Sequence, residues 1–308
     1  MIMAALLITA LDSVQLNSAI SYEGSFMKLP PLSHSLSIEI DTLCAGPFPP
    51  CGFLPLNEGA LGNGDCFGLY WLLGKENNDP IICELYHDEW RLVPAFSSVA
   101  KFREWLNVND DDPWENNIEI DDRHFAPAHF TLAKKYLATG DLDHALPHLI
   151  NATTKLPEVS EYWLTLAGQY RRCREDIAAA EAALNAWLSN WAFGMPDNKV
   201  IQMLTQAAKL PEFREDPVVR RIAAKEMDLN FGGVKENSNY LMMQDCIDVY
   251  FAQNKPLLAL ALLQNYAYLM TGETTAFQER YGFNLNEWRI NFSQLCSVHL
   301  NDPRCDAE

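Results

Sequence analysis

His87-Asp88-Glu89 sets an imidazole beside two carboxylates, the residue types of general acid–base catalysis or of a metal site. Consecutive residues of an extended chain point to alternate sides, so the trio reads first as a turn between strands. His144 and His148 stand at i, i+4, a metal-ligand spacing on a helix. No glutamate of the HExxH kind lies between them and no third ligand is near in sequence, so they read as exposed polar residues. His124 and His129 read as unpaired. The chain carries no GxSxG, Walker A, GxGxxG or zinc-spaced CxxC motif. Gly62-Asn63-Gly64-Asp65 precedes an aromatic run rather than a helix, which makes it a turn and not a phosphate loop. Trp163, Trp187 and Trp191 read as packing residues rather than a ligand cage. The expectation is a protein without catalytic residues, cofactor or metal.

The histidine–carboxylate turn sits inside the most patterned stretch of the chain, Leu61 to Leu106. Cys66 to Leu73 is aromatic and apolar and follows the glycine turn. A polar loop, Gly74 to Pro80, leads to a second run in which Ile81, Cys83, Leu85 and His87 alternate. Asp88-Glu89 turns the chain into a third run, Trp90 to Phe96. Ser97-Ser98 then reads as an N-cap, and Val99, Phe102 and Leu106 give a helical stripe. Three strands joined by short connections predict an antiparallel meander with a helix on one face.

Gly62, Gly64, Asp65, Phe67 and Gly68, then Tyr86-His87-Asp88-Glu89-Trp90, then Phe96-Ser97-Ser98 with Phe102, Trp105 and Leu106, follow a glycine turn, strand, polar loop, "YHDE" strand end and closing helix. This pattern resembles the SMI1/KNR4 superfamily, also called SUKH, over roughly residues 30–107. An opening helix of the family kind is not evident before residue 30. The resemblance implies an α+β domain, and many bacterial members are immunity proteins that bind and neutralise a partner toxin.

A chain of 308 residues is long enough for two domains, and its 48% hydrophobic content fits a globular protein. Its formal net charge of −18 is uneven. Residues 1–124 carry 6 basic and 19 acidic residues, net −13, and residues 125–308 carry 17 and 22, net −5. Such a surface repels phosphates, which argues against direct nucleic-acid binding and favours a basic partner. Keeping the protein soluble is the alternative role for that charge. The 8 cysteines are scattered singly, several within apolar runs, as in a protein of the reducing cytoplasm. The apolar opening, Met1 to Ala10, lacks a basic n-region and stops at Asp12, so it reads as a buried helix or strand rather than a signal peptide or membrane span. Ser33 to Leu43 reads as a short helix, and residues 46–62, with 4 prolines and 4 glycines, as an irregular apolar loop.

Between Asn107 and Asp122 lie 7 acidic residues and no basic one. Like charges so dense resist packing, so this reads as a solvated connector or as an acidic contact strip, with Trp114 and Ile118 docking part of it. Beyond it the period becomes helical. Residues 126–157 align with 160–191 at an offset of 34: His129 with Trp163, Leu132-Ala133 with Leu166-Ala167, Tyr136 with Tyr170, Ala145 with Ala179, Ala152 with Ala186. Pro157 closes the first unit and Gly140-Asp141 falls at its central turn. These positions resemble those of the tetratricopeptide repeat (TPR), in which small residues let paired helices approach closely. The second unit departs where Trp191 replaces the usual proline. Helices are also predicted over Lys199–Leu210, Pro217–Met227, Tyr240–Gly272 (a TPR-like pair) and Asn286–Val298, giving about seven to nine in the C-terminal part.

The expected architecture is thus an α+β SUKH-like domain over residues 1–109, an acidic linker over 110–124, and an all-α TPR-like array over 125–308. The expected function is that of a cytoplasmic immunity protein which occludes a basic, nucleic-acid-attacking toxin. Candidate toxin contacts are Asp88, Glu89 and Trp90 in the turn and Asp110, Asp111 and Asp112 in the linker. A TPR-type scaffold that gathers several partners is the alternative.

Overall fold

The computed structural model describes residues 19–22, 25–28, 52–56, 64–75, 78–109, 119–233 and 235–300. The expectations for residues 1–12, 33–43 and 110–118 fall outside these. The chain divides into two compact units, residues 1–122 with 289–308, and residues 123–288. This division counts the end of the last helix with the first unit, whereas the sequence reading ran the helical part to 308.

In the first unit, β1 (Ala19–Tyr22) and β2 (Ser25–Lys28) form an antiparallel ribbon. A four-stranded antiparallel sheet follows, in the order β3 (Phe53–Pro55), β4 (Cys66–Tyr70), β5 (Ile81–Tyr86), β6 (Arg91–Phe96). Helix α1 (Val99–Asn109) closes it. The three predicted strands and the helix are present at nearly the predicted bounds. Apolar runs bounded by short turns specify them locally, and β4 and β5 are buried along most of their length. The loop reading of residues 46–62 is corrected by β3. Phe53, Leu54 and Pro55 pair with Tyr70, Leu69 and Gly68. Pro55 is tolerated there because β3 is an edge strand. Gly68 is required: a Cβ at this position would lie 2.3 Å from the Phe53 ring and 2.7 Å from the Leu54 carbonyl.

Leu54, Leu56, Phe67, Leu69, Trp71, Ile82, Phe96, Phe102 and Trp105 make the core of this unit. Four of its rings form one cluster. Phe67 lies 5.2 Å from Phe102 and 5.5 Å from Trp105, and Phe96 lies 5.5 and 5.4 Å from the same pair. The helix stripe therefore supplies two rings and the sheet two, so α1 docks by aromatic contact. The two serines before α1 divide their tasks. Ser98 Oγ accepts from the Lys101 N–H at 3.3 Å, the capping role. Ser97 instead donates from its N–H and its Oγ to the Asp122 carboxylate, both at 2.7 Å. Asp122 closes the acidic stretch read as a solvated connector or contact strip with a docked part, and the docking among the described residues is made by Asp122 and by Ile120, which packs against the sheet core.

The second unit is helical. Its elements are α2 (Ala126–Ala138), α3 (Leu142–Lys155), α4 (Ser160–Arg172), α5 (Asp176–Leu188), α6 (Asn198–Ala207), α7 (Pro217–Ala223), α8 (Ser238–Ala252), α9 (Pro256–Thr271) and α10 (Thr275–Arg280). Helix α11 (Leu285–Leu300) crosses the division between the units. Short 3-10 turns occur at Trp191–Phe193 and Pro211–Phe213. The helices after residue 125 thus number ten among the described residues, one more than the upper expectation. The addition is α10, six residues long and capped by Thr274, too short to show a period. Antiparallel pairing of α2 with α3 and of α4 with α5 follows from their short connections. Asp141 caps α3 by accepting from the His144 N–H. Gly140, with φ +79°, makes the turn before it. Pro147 sits well inside α3, past the first turn where proline is best tolerated, and removes one helical N–H donor.

Alanines line the contacts of these pairs. Ala133, Ala145, Ala152, Ala167, Ala183 and Ala186 are all fully buried. Trp191, at the position where the repeat pattern expects proline, is fully buried, and its Nε1–H donates to the Trp187 carbonyl at 2.9 Å. Asn265 of α9 locks this turn: its Oδ1 accepts from the Trp191 N–H at 2.9 Å and its Nδ2 donates to the Ser189 carbonyl at 2.7 Å. Both backbone groups would otherwise be buried without partners. Cys173 and Cys246 are free thiols.

Candidate partner-binding surface

The turn 87–90 joins β5 to β6, with Tyr86 opposite Arg91. Register decides what surrounds it. Cys66 pairs with Leu85, so Gly64 and Asp65 run on beside Tyr86 and His87. Asp65 Oδ1 accepts from the His87 N–H at 2.9 Å and lies 2.8 Å from His87 Nδ1. On the other side of the ring, Nε2 lies 2.9 Å from Asp88 Oδ1. Ionised carboxylates only accept hydrogen bonds, so an imidazole held between two of them donates from both nitrogens when it is protonated, and the contacts favour that form. The hydrogen bond to Asp65 raises the His87 pKa above its ordinary 6.5, and the Asp88 charge adds to it. A Cβ on Gly64, which has φ +101°, would stand 3.0 Å from the His87 ring, so glycine makes room for it.

Two further acids extend this end of the sheet. Glu84 is half-buried, and burial raises its pKa. The Tyr86 hydroxyl donates to it at 3.3 Å, and the Tyr86 pKa is raised, first by burial and then by the Glu84 charge. The Arg91 guanidinium lies 5.2 Å from the centre of the Tyr86 ring and donates to Glu89 at 2.9 Å. Asp88 and Glu89 project outward, their side chains 87% and 65% exposed. Trp90 has φ +51°, a left-handed conformation that costs a bulky residue about 1–3 kcal/mol. It is half-exposed at the turn.

The three turn residues named from the sequence therefore stand together at one surface. Asp110, Asp111 and Asp112 lie outside the described residues. The reading of 87–89 as a turn holds; Asp65 and Tyr86 entered it only through the family resemblance, and Glu84 and Arg91 not at all. The signal for Asp65 was the glycine turn before β4, which becomes informative once the pairing register is known.

In the helical unit the reading of isolated histidines is corrected. His129 of α2 and His148 of α3 meet with their Nδ1 atoms 3.0 Å apart. His144 is bound to Asp141, Nδ1 to Oδ2, at 2.8 Å. The Tyr136 ring stacks with His144 at 5.3 Å and with His148 at 5.7 Å. Facing side chains from two helices were invisible to a search along one helix. Among the described residues no three His, Cys, Asp or Glu side chains are placed to hold a metal ion. Among them, too, no helix is long and apolar enough to cross a membrane.

Two family models match the chain: the YfbP N-terminal domain over residues 38–115 and the YfbP C-terminal domain over residues 230–304. The uncharacterized protein YfbP of Escherichia coli (strain K12) is 62% identical over 278 residues, which cover 90% of this chain and 99% of that protein. The chain belongs to the YfbP family. The YfbP N-terminal match contains β3 to β6, α1 and the whole acidic turn. The YfbP C-terminal match contains α8 to α11. The helix pairs α2–α3 and α4–α5 lie between the two matched segments.

Proposed function

We propose that the protein is an immunity-type binding protein that neutralises a basic toxin by covering its active site or substrate path. The observation that carries this reading is the exposed acidic turn. Asp88 and Glu89 project from the sheet with Asp65 and Glu84 behind them, in a region of net −13. Such a surface attracts a cationic partner and speeds its encounter. Trp90 supplies a large apolar contact in a strained backbone conformation, a combination that suits a binding anchor better than a folding element. The likeness of the glycine turn, the YHDE turn and the closing helix to the SMI1/KNR4 superfamily supports the same reading. The reading takes the helical part as a TPR-like array and places the protein in the cytoplasm. It needs no catalytic step, cofactor, membrane or direct nucleic-acid contact.

The test is a tagged pull-down from the native cell with the captured proteins identified and eluted in rising salt. One basic partner, held near stoichiometrically and toxic when produced alone, is the expected result. Its affinity should fall at least tenfold in Asp88→Asn/Glu89→Gln and fall with salt. Several moderate partners with no toxic protein among them would overturn the immunity reading. That outcome would favour the second reading, a scaffold. The exposed Leu132, Ile150 and Ile177 on the helices α2, α3 and α5 support this alternative as apolar contact points.

A further inference from the structure

We propose that His129 and His148 form a two-histidine site for a divalent transition-metal ion of the zinc and copper(II) class. The pair is built by two different helices, and its nitrogens already face each other at 3.0 Å. Two metal–nitrogen bonds of about 2.0–2.1 Å at a tetrahedral angle put their nitrogens roughly 3.3 Å apart. A few tenths of an ångström of separation, with rotation of both rings so that their lone pairs converge on one point, converts the hydrogen-bonded pair into a chelating one.

The surroundings hold both rings in place. His129 precedes the buried Phe130, and His148 precedes the fully buried Leu149. The backbone at each histidine is thus fixed by a neighbour in the core. The Tyr136 ring lies nearly parallel to His148, with 12° between the planes. Both histidines remain half-exposed, which leaves a path for an ion.

A neutral pair in this contact has one Nδ1–H donating to the other Nδ1 lone pair. When the donor ring moves its proton to Nε2, both Nδ1 lone pairs face the ion and no proton need leave the pair. Imidazole nitrogen selects zinc and copper(II) over magnesium or calcium, which prefer oxygen. No third His, Cys, Asp or Glu among the described residues completes the set. Water or a partner's side chain would fill the remaining positions, so the site is weaker than a closed four-ligand site.

The metal-free full chain, titrated with Zn²⁺ and separately with Cu²⁺ by calorimetry, tests this. One equivalent should bind, and the His129 and His148 imidazole nitrogen resonances should shift on adding Zn²⁺. His129→Gln and His148→Gln should each weaken binding at least tenfold. His144→Gln should leave it unchanged, because that ring is engaged by Asp141. Circular dichroism reports whether each variant is folded; if one is not, the resonance shifts of the unaltered chain decide. Failure of those two resonances to respond to Zn²⁺ would overturn the proposal. So would equal binding in the double variant, or a loss in His144→Gln as large as in His148→Gln.

Discussion

The sheet and the helix pairs α2–α3 and α4–α5 pack through different side chains, although the helical unit also buries Trp187, Trp191, Tyr240 and Tyr250. In the first unit a short helix packs on a small sheet, and Phe67, Phe96, Phe102 and Trp105 fill the space between them. The helical unit brings its helices close and lines the contacts with buried alanines such as Ala133, Ala145, Ala152, Ala167 and Ala183. A few large rings bury much apolar area from few residues, which suits a small sheet under a single short helix. Alanines bury little each, but they allow long contacts between regular helices. The ring cluster should therefore be sensitive to removal of volume and the alanine contacts to its addition.

The largest effect is expected from truncating the ring cluster. Phe102 is fully buried and touches three other rings, so Phe102→Ala should cost about 3–5 kcal/mol. Loss of amide-exchange protection in β4 to β6 would register it; unchanged protection would mean that the cluster does not hold the sheet. Enlarging an alanine tests the other side of the comparison. Ala167→Leu, at a fully buried position of α4, should cost about 1–3 kcal/mol by overpacking. The protection of α4 and α5 reads this, and a neutral result would show that the helix pairs are looser than their alanines imply.

A smaller loss is expected where the acidic stretch rejoins the sheet. Asp122→Ala removes two hydrogen bonds to Ser97, one of them to its backbone. By analogy with lost caps this should cost about 1 kcal/mol, measured by urea unfolding. No change would return Asp122 to the solvated connector expected from the charge pattern.

The finest test is the His87 proton. Because its folded pKa is raised, the contacts of protonated His87 stabilise the fold fully below about pH 6.5. That contribution is lost as the pH rises through the folded value. NMR titration should place His87 above 6.5, and Asp65→Asn should move it back toward that value. A titration at or below 6.5 in the unaltered chain would show that the two carboxylates do not grip the ring.

The strands and helices were legible because their periods are local. The alternation at Ile81 to Leu85 and the stripe of Val99, Phe102 and Leu106 each predict an element from its own residues. The edge strand at Phe53–Pro55 was not legible, since three residues containing proline carry no period and depend on β4 for their hydrogen bonds. Helix α10 was missed for the same reason of length. The acidic turn was legible as a turn, and its three exposed residues could be named. Its anchor Asp65 could not, because it lies just before β4 and the β4–β5 register sets its distance from His87.

The sequence by itself determined the order of the elements, the change from sheet to helix near residue 125, and the acidic bias of the first region. Each of these is a property of neighbouring residues or of composition. The tertiary structure alone decided the pairings: Asp65 with His87, Ser97 with Asp122, His129 with His148, and Asn265 with the turn at Trp191. These partners stand between 19 and 74 residues apart. Nothing in local periodicity brings such groups together; only the packing of one element on another fixes which polar atoms meet.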